Sequence, residues 1–317
     1  MKKKASHASQ IVPPFRIRLG KDLRKNGTLY LLLLPAILLV LIFSYFPMYG
    51  VIIAFQNFKP ALGFSGSPWV GLDNFTRFFN SYKFVDVLTN TLKISITSLL
   101  CGYPMPIILA LLMNQIRNRR YKQILQTVTY MPHFVSNVVV AGMILVFMNV
   151  NTGIYGNLMR LFGVSDPVNL LGVPSAFVPI YVISGIWQNA GWDSIIYLAA
   201  LSSVDPSLYE AATVDGANGW KKIWYIDIPC LAPTMIILLI LNTGSVMGVG
   251  FEKVFLLQNS LNLAASEVIS TYVYKLGLLN QQYSLSAAVD LFNTVINFIL
   301  LLTVNAISKR VSETSLW

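Results

Sequence analysis

The chain has 317 residues, of which 55% are hydrophobic and only 11% are charged. Ordinary soluble domains carry about 25% charged residues, so this composition excludes a soluble globular protein. The hydrophobic residues form long charge-free runs, each sufficient to cross a bilayer of about 30 Å as a helix of about 20 residues. A membrane β-barrel would need short alternating segments instead, so the chain is predicted to be an all-α polytopic membrane protein.

The charge-free runs predict six transmembrane helices. In chain order they cover residues 29–55, 84–113, 123–149, 176–201, 232–250 and 285–308. Residues 1–28 precede them as a basic tail, in which Phe15–Leu23 is a candidate for a short helix on the membrane surface. The transmembrane domain is therefore predicted at 29–310, and residues 311–317 form a second tail.

The net charge of +10 indicates orientation rather than a nucleic-acid partner. Of the 23 Lys and Arg residues, 16 lie in the two tails and in the segments after the second and fourth helices, against six in the alternate segments. Because Lys and Arg concentrate in cytoplasmic loops, both termini are predicted to be cytoplasmic. A basic tail directly before a membrane helix is better explained by anionic lipid headgroups than by nucleic acid.

The longest predicted cytoplasmic segment, residues 202–231, has the features of a docking surface. A short helix is predicted to begin near Pro206, because Asp205 or Ser207 can cap it. Glu210 follows Ser207 at the spacing of a capping box, in which the two side chains satisfy backbone N–H groups reciprocally. An ordinary connecting loop with ordinary caps is the alternative interpretation.

Small residues and glycines follow in the same segment. Ala211 and Ala212 keep one face of the short helix small, so another protein surface can approach closely. Gly216 and Gly219 permit a turn, and Trp220–Ile228 is then predicted to be a second short helix that a proline ends. Together these features predict a compact pair of helices on the cytoplasmic face.

The pattern Glu-Ala-Ala-x-x-Asp-Gly-Ala in this segment resembles the signature of binding-protein-dependent ABC import permeases. The matching residues are Glu210, Ala211, Ala212, Asp215, Gly216, Ala217 and Pro229. The stretches 191–201 and 250–259 are similar to the corresponding stretches of family members that take up carbohydrates. The first helix, with the stretch 46–50, resembles the subfamily for complex oligosaccharides and polysaccharide fragments.

The resemblance implies a six-helix permease subunit of a type I ABC importer in the bacterial cytoplasmic membrane. It also implies a second homologous permease subunit, two ATP-binding cassette subunits that bind Mg-ATP, and an extracytoplasmic solute-binding protein. Residues 210–217 would couple this chain to the ATPase. The chain itself is expected to be no enzyme and to bind no cofactor or metal, because it lacks a glycine-rich phosphate loop and a Cys/His cluster.

Polar and aromatic residues at membrane depth are candidates for the translocation path, because such positions are costly unless they serve function or packing. The candidates are Trp187, Gln188, Asp193, Tyr197, Asn242, Asp290 and Asn293. Hydrogen bonds between helices are the alternative role for each of them. Lys93 is expected either to reach the outer headgroups or to pair with Asp86, seven residues earlier on the same helix.

Two other classes of protein are alternatives to the importer. A secondary transporter working alone would show repeated halves with broken helices and paired buried acids, and no such repeat is visible. An assembly factor would show no substrate-dependent ATPase activity in its complex. Within the importer family the signature leaves the cargo open, so a non-sugar solute is a further alternative.

Overall fold

The structure is a computed structural model that describes residues 15–312, with side chains described from Lys25 to Arg310. The predicted tails therefore lie partly outside the described residues. Within the described range the chain is almost entirely helical, and its only β pairing is an isolated bridge between Gln56 and Trp69. The predicted all-α class is confirmed. The chain divides into two compact units, of which the first ends at Ile52 and the second begins at Ile53.

The first unit is dominated by α1, which covers Phe15–Val40 and has a break in its helical geometry at Asn26. The break separates the predicted surface helix from the hydrophobic part. Helical structure continues through a π stretch at Leu41–Tyr45, one turn at Phe46–Met48 and a 3₁₀ stretch at Tyr49–Phe55. The span Lys25–Phe55 is apolar enough to cross a membrane, as predicted.

The second unit contains five long helical elements. We label them α2 (Phe84–Asn114), α3 (Arg119–Phe134 followed by Asn137–Phe147), α4 (Pro174–Ser202), α5 (Gly219–Thr243) and α6 (Tyr283–Ser312). Among the described residues, four helices are long and apolar enough to cross a membrane, and the bent α3 would be a fifth if its two parts form one span. The polar side chains in the middle of α4 keep it outside this set.

Two predicted helices differ from the observed ones. The third is bent by 96° because a 3₁₀ turn at Met131–Phe134 contains a proline, and Ser136 then caps a new helix. The fifth begins at Gly219, not 232, and ends at Thr243, not 250. Pro229 therefore lies inside α5, behind a π stretch at Ile223–Asp227. Such a wide turn accommodates a proline ring that would clash with a regular preceding turn.

Short helices fold the connecting segments onto the long ones. They are Pro60–Leu62, Gly63–Gly66, Asp73–Phe79, Ile154–Leu161, Leu170–Gly172, Phe251–Leu257, Leu263–Ser266, Ile269–Tyr274 and Lys275–Leu279. One hydrophobic core joins the start of α2 to α6 through the fully buried Phe78, Val87 and Val289. A second core joins α2, α4 and α5 around Ala110, Tyr197 and Leu231.

A buried carboxylate holds the segment between α5 and α6 against the start of α2. Glu267 Oε2 lies 2.7 Å from Lys83 Nζ, and its Oε1 lies 2.8 Å from Lys275 Nζ. Burial opposes ionisation of Glu267, but the hydrogen bonds and charges of Lys275 and Lys83 outweigh it and hold the pKa of this carboxyl below its usual range. Glu267 is therefore ionised wherever the protein is folded near neutral pH.

Glu267→Gln is expected to lower the free energy of unfolding by about 2 kcal/mol near neutral pH, because hydrogen bonds to a charged group are lost. Since the folded pKa is lowered, this stabilisation is present above the unfolded pKa near 4.5 and is lost as pH falls through the folded value. Thermal unfolding of the purified protein at pH 7.5 and at acid pH measures both effects. Asp166→Asn, at an exposed position, is the control, and equal losses for the two variants would contradict the prediction.

Candidate functional site

The signature segment forms one short helix, Pro206–Val214, which we call the coupling helix. Asp205, not Ser207, caps it: the Asp205 carboxylate accepts the Ser207 N–H at 2.9 Å. These hydrogen bonds with Ser207 hold the pKa of Asp205 below its usual range. The negative charge at the start of a helix also matches the helix dipole, so the local sequence specifies this boundary.

The coupling helix ends in a glycine-dependent turn. Gly216 has φ +72°, which side chains of L-residues rarely adopt. The Ala217 N–H donates to the Ala212 carbonyl at 2.8 Å, and the Gly216 N–H donates to the Thr213 carbonyl at 3.1 Å. This pattern is a Schellman cap, so the Asp-Gly-Ala part of the signature has a direct structural reason.

The predicted second short helix is wrong as a separate element. Asn218 caps a helix at Gly219 by accepting the Lys221 N–H at 2.9 Å, and this helix continues into α5 without a break. Only residues 215–218 separate the coupling helix from α5. The coupling helix and α5 are therefore joined by a very short connection.

A buried polar cluster joins the coupling helix to α2 and α5. The Asp227 carboxylate is completely buried and accepts the Tyr209 hydroxyl at 2.5 Å and Gln115 Nε2 at 2.9 Å. Asn114 Nδ2 lies 3.3 Å from Asp227 and 3.4 Å from the Tyr209 oxygen. We call these four side chains the polar anchor. Sequence reasoning missed all four, and the position of Asp227 two residues before Pro229 was the nearest available signal.

The Tyr209 hydroxyl remains a hydrogen-bond donor across the physiological pH range. Burial, followed by the hydrogen bond and charge of Asp227, raises the pKa of Tyr209 to about 12. The hydroxyl can thus donate to a carboxylate without a competing ionisation. Neutral donors from the coupling helix and from the end of α2 thus satisfy the buried Asp227 side chain.

The outer face of the coupling helix is free to contact another protein. Glu210, Ala211 and Asp215 are exposed. Large apolar side chains of the same predicted cytoplasmic segment are also exposed, including Val214 at 89% on the coupling helix and Tyr225 at 80% on α5. A helix anchored on one side and exposed with apolar and acidic groups on the other has the form of a docking element.

A cavity of about 540 Å³ lies between α2, α4 and α5. Three of the predicted path residues line it: Asp193, Tyr197 and Asn242. Six further polar residues line it, namely Ser95, Ser98, Tyr103, Tyr181, Asn189 and Ser245. The cavity lining therefore contains nine polar residues among apolar ones, and we call it the polar cavity.

The other four predicted path residues lie outside this cavity lining. Trp187 and Asp290 are exposed elsewhere on α4 and α6. Gln188 is buried and donates to the Val135 carbonyl at 2.9 Å, so it supports the bend of α3. The side-chain oxygen of Asn293 is buried and has no hydrogen-bond partner in the described part of the chain.

Of the two roles predicted for Lys93, the pairing with Asp86 is not found. Both residues are exposed, and the ion pairs between described residues involve only Glu267 with its two lysines. The described residues also contain no group of three or more His, Cys, Asp or Glu that could hold a metal ion. The anchored coupling helix and the polar cavity are therefore the candidate functional features.

Long apolar helices around a polar cavity, with a docking helix fixed to two of them, define a multi-pass membrane transport subunit. Residues 102–313 match the family model of the binding-protein-dependent transport system inner membrane component, and the chain belongs to this family. It is 41% identical over 302 residues to the polygalacturonan/rhamnogalacturonan transport system permease protein YteP of Bacillus subtilis (strain 168), covering 95% of this chain and 94% of the relative.

Two solved structures are also similar to the chain. One is a bacterial ABC transporter involved in the import of the acidic polysaccharide alginate, with a TM-score of 0.85 and 42% identity over 93% of this chain and 99% of that chain. The other is a bacterial alginate ABC transporter in complex with an alginate pentasaccharide-bound periplasmic protein, with a TM-score of 0.85 and 41% identity over 94% and 100%. The predicted family is thereby confirmed.

Proposed function

We propose that this chain is the permease subunit of an ABC importer that moves an oligosaccharide or polysaccharide fragment across the bacterial cytoplasmic membrane. The anchored coupling helix carries the proposal, because it presents Glu210 outward while Tyr209 fixes its inner side to Asp227. The names of the similar transporters support a carbohydrate cargo.

The energy is proposed to enter through residues 210–217. A separate ATPase subunit holding Mg-ATP would grip the coupling helix and move with each cycle of ATP binding and hydrolysis. The polar anchor connects this helix to the end of α2 and the start of α5, and both helices line the cavity. Movement of the coupling helix would therefore change the access of the cavity from one side of the membrane to the other.

The complete transporter is proposed to contain a second homologous permease, two ATP-binding cassette subunits and an extracytoplasmic solute-binding protein. The cavity is formed mainly by three long helices of this chain, and Asp193 and Asn242 are exposed within it, which suits completion by a second permease. The distribution of Lys and Arg supports cytoplasmic termini. This chain is proposed to bind no cofactor of its own.

Changes in the coupling helix test this function in proteoliposomes that contain the complete transporter. Glu210→Ala removes an exposed docking charge, and Gly216→Pro is incompatible with φ +72° because proline fixes φ near about −65°. Both variants are expected to insert normally and to reduce the rate of ATP-driven oligosaccharide uptake at least about tenfold, which corresponds to about 1.4 kcal/mol of activation free energy.

The control for these variants is Asp166→Ala, which removes an exposed acid from a different segment. It should leave uptake and ATP hydrolysis unchanged. Normal coupled uptake by both coupling-helix variants would refute the proposed role of residues 210–217. Oligosaccharide uptake by this chain without any ATPase subunit would instead support a secondary transporter.

A further inference from the structure

Lys253 is a buried cation that belongs neither to the coupling helix nor to the structural ion pairs. It lies in the helix Phe251–Leu257 and is only 6% exposed. Its Nζ lies 5.2 Å from the centre of the Tyr181 ring. Among the described residues it forms no ion pair within 4.0 Å. Burying an ammonium group without a counter-charge is unfavourable, so the position requires a reason.

The acids that flank Lys253 are committed to other partners or lie further away. Glu252 accepts Asn137 Nδ2 at 2.9 Å, and Glu267 is neutralised by Lys83 and Lys275. With no compensating carboxylate, burial lowers the pKa of Lys253 to about 8. The ammonium is therefore mostly protonated at neutral pH and lacks an internal anion.

The Lys253 ammonium lies directly behind the wall of the polar cavity. Its Nζ is 3.7 Å from the point where a Cβ on Gly185 would lie. Gly185 and Tyr181, one turn apart on α4, both line the cavity, as does Gly250 next to the Lys253 helix. Because Gly185 has no side chain, the cavity wall is thin at this point. The positive charge of Lys253 can therefore attract a negatively charged ligand inside the cavity.

We propose that Lys253 is the counter-charge for a carboxylate-bearing sugar, so that the transported carbohydrate is an acidic, uronate-type oligosaccharide. This inference rests on the proposed function. Tyr181, whose ring faces Lys253, also lines the cavity, so it lies between the cation and a bound sugar. Asp193 lies eight residues beyond Gly185 on α4, about 12 Å along the helix, where it suits sugar hydroxyls rather than carboxylates.

The relatives are consistent with this charge preference. One of the similar solved structures is a transporter for alginate, an acidic polysaccharide. Polygalacturonan, in the name of the relative YteP, is a polymer of a uronic acid. A neutral sugar would leave the buried ammonium unpaired in the loaded cavity, whereas a uronate would neutralise it. The Lys253 site thus provides a physical basis for selecting acidic oligosaccharides.

The test compares matched acidic and neutral sugars on the complete reconstituted transporter. The probes are oligogalacturonide and oligoalginate of about five residues, each beside its carboxyl-reduced neutral counterpart. The wild type is expected to bind and take up the acidic form at least about tenfold better. Lys253→Met should abolish this preference by weakening only the acidic form, while Lys253→Arg should retain it. Lys59→Met, at an exposed lysine, should change neither.

Two results would overturn the inference. One is wild-type preference for the neutral forms, which is measured without any variant and so does not depend on folding of Lys253→Met. The other is an equal effect of Lys253→Met on acidic and neutral sugars, or no effect on either. Failure of the wild type to take up any oligosaccharide, with ATPase activity intact, would instead contradict the carbohydrate function on which the inference rests.

Discussion

Asp227→Ala is expected to abolish coupled transport and to lower the free energy of unfolding by about 3 kcal/mol. The completely buried carboxylate accepts hydrogen bonds from Tyr209 at 2.5 Å and Gln115 at 2.9 Å, and it lies 3.3 Å from the Asn114 amide. Alanine leaves these donors without an acceptor in a buried site. The coupling helix then loses its fixed attachment to α2 and α5.

The measurements are the ratio of ATP hydrolysed to substrate transported and the thermal stability of the purified complex. Asp227→Asn keeps the size of the side chain but replaces one acceptor oxygen with an NH₂ group that cannot accept from Gln115. Tyr209→Phe removes a single hydroxyl and should cost less, about 1 kcal/mol. An unchanged ATP-to-substrate ratio in stable Asp227→Ala protein would show that the polar anchor does not transmit movement.

A double-mutant cycle separates anchoring from general stability. If Tyr209 and Asp227 act as one connection, the double variant Tyr209→Phe/Asp227→Ala should resemble Asp227→Ala alone in its coupling ratio. Residues that share no contact add their effects, whereas members of one hydrogen-bonded network do not. Additive losses of coupling would mean that the two residues act independently.

Gly191→Ala is expected to destabilise the packing of α4 on α3 by about 3 kcal/mol or more. A Cβ at Gly191 would overlap the backbone carbonyl carbon and oxygen of Thr129. These atoms belong to a helix, so they cannot turn away as a flexible side chain could. One helix must shift, which would disturb the wall of the cavity at the neighbouring Ala190 and Asp193.

The thermal midpoint of the purified transporter, together with the yield of correctly assembled complex, measures this effect. Gly142→Ala in α3 is the matched control, because a Cβ there meets nothing within 4 Å. Its methyl group should be tolerated, since alanine favours a helix over glycine by about 1 kcal/mol. Wild-type stability of Gly191→Ala would contradict the close approach of the two helices.

The length of the charge-free runs predicted the long helices well where one apolar run forms one helix. The predicted 84–113 and 285–308 agree closely with α2 and α6, at Phe84–Asn114 and Tyr283–Ser312. The same reasoning failed at α3, where one apolar run contains a bend, and at α5, which begins at Gly219, before its apolar run, and ends at Thr243, inside that run. Hydropathy alone does not show that the chain bends at the 3₁₀ turn before Ser136 but continues as a helix through Pro229.

Local chemistry explains why the coupling helix was predictable. Asp205 caps it through a residue two positions later. The turn at Gly216 ends it, because the Gly216 and Ala217 N–H groups donate to carbonyls three and five positions before them, respectively. All of these contacts fall within a few residues, so a single chain segment contains the required information. The seven path candidates had no such local constraint, and only Asp193, Tyr197 and Asn242 line the cavity.

By itself, the amino-acid sequence determined the membrane location, the helical class and both ends of the coupling helix, because these depend on hydrophobicity and short-range hydrogen bonds. The tertiary structure alone decided the polar anchor and the position of Lys253. Asn114 and Asp227 are 113 positions apart, and the Lys253 ammonium meets the cavity through Tyr181 and Gly185 of another helix. No linear spacing encodes such contacts, since they exist only after α2, α4 and α5 have packed together.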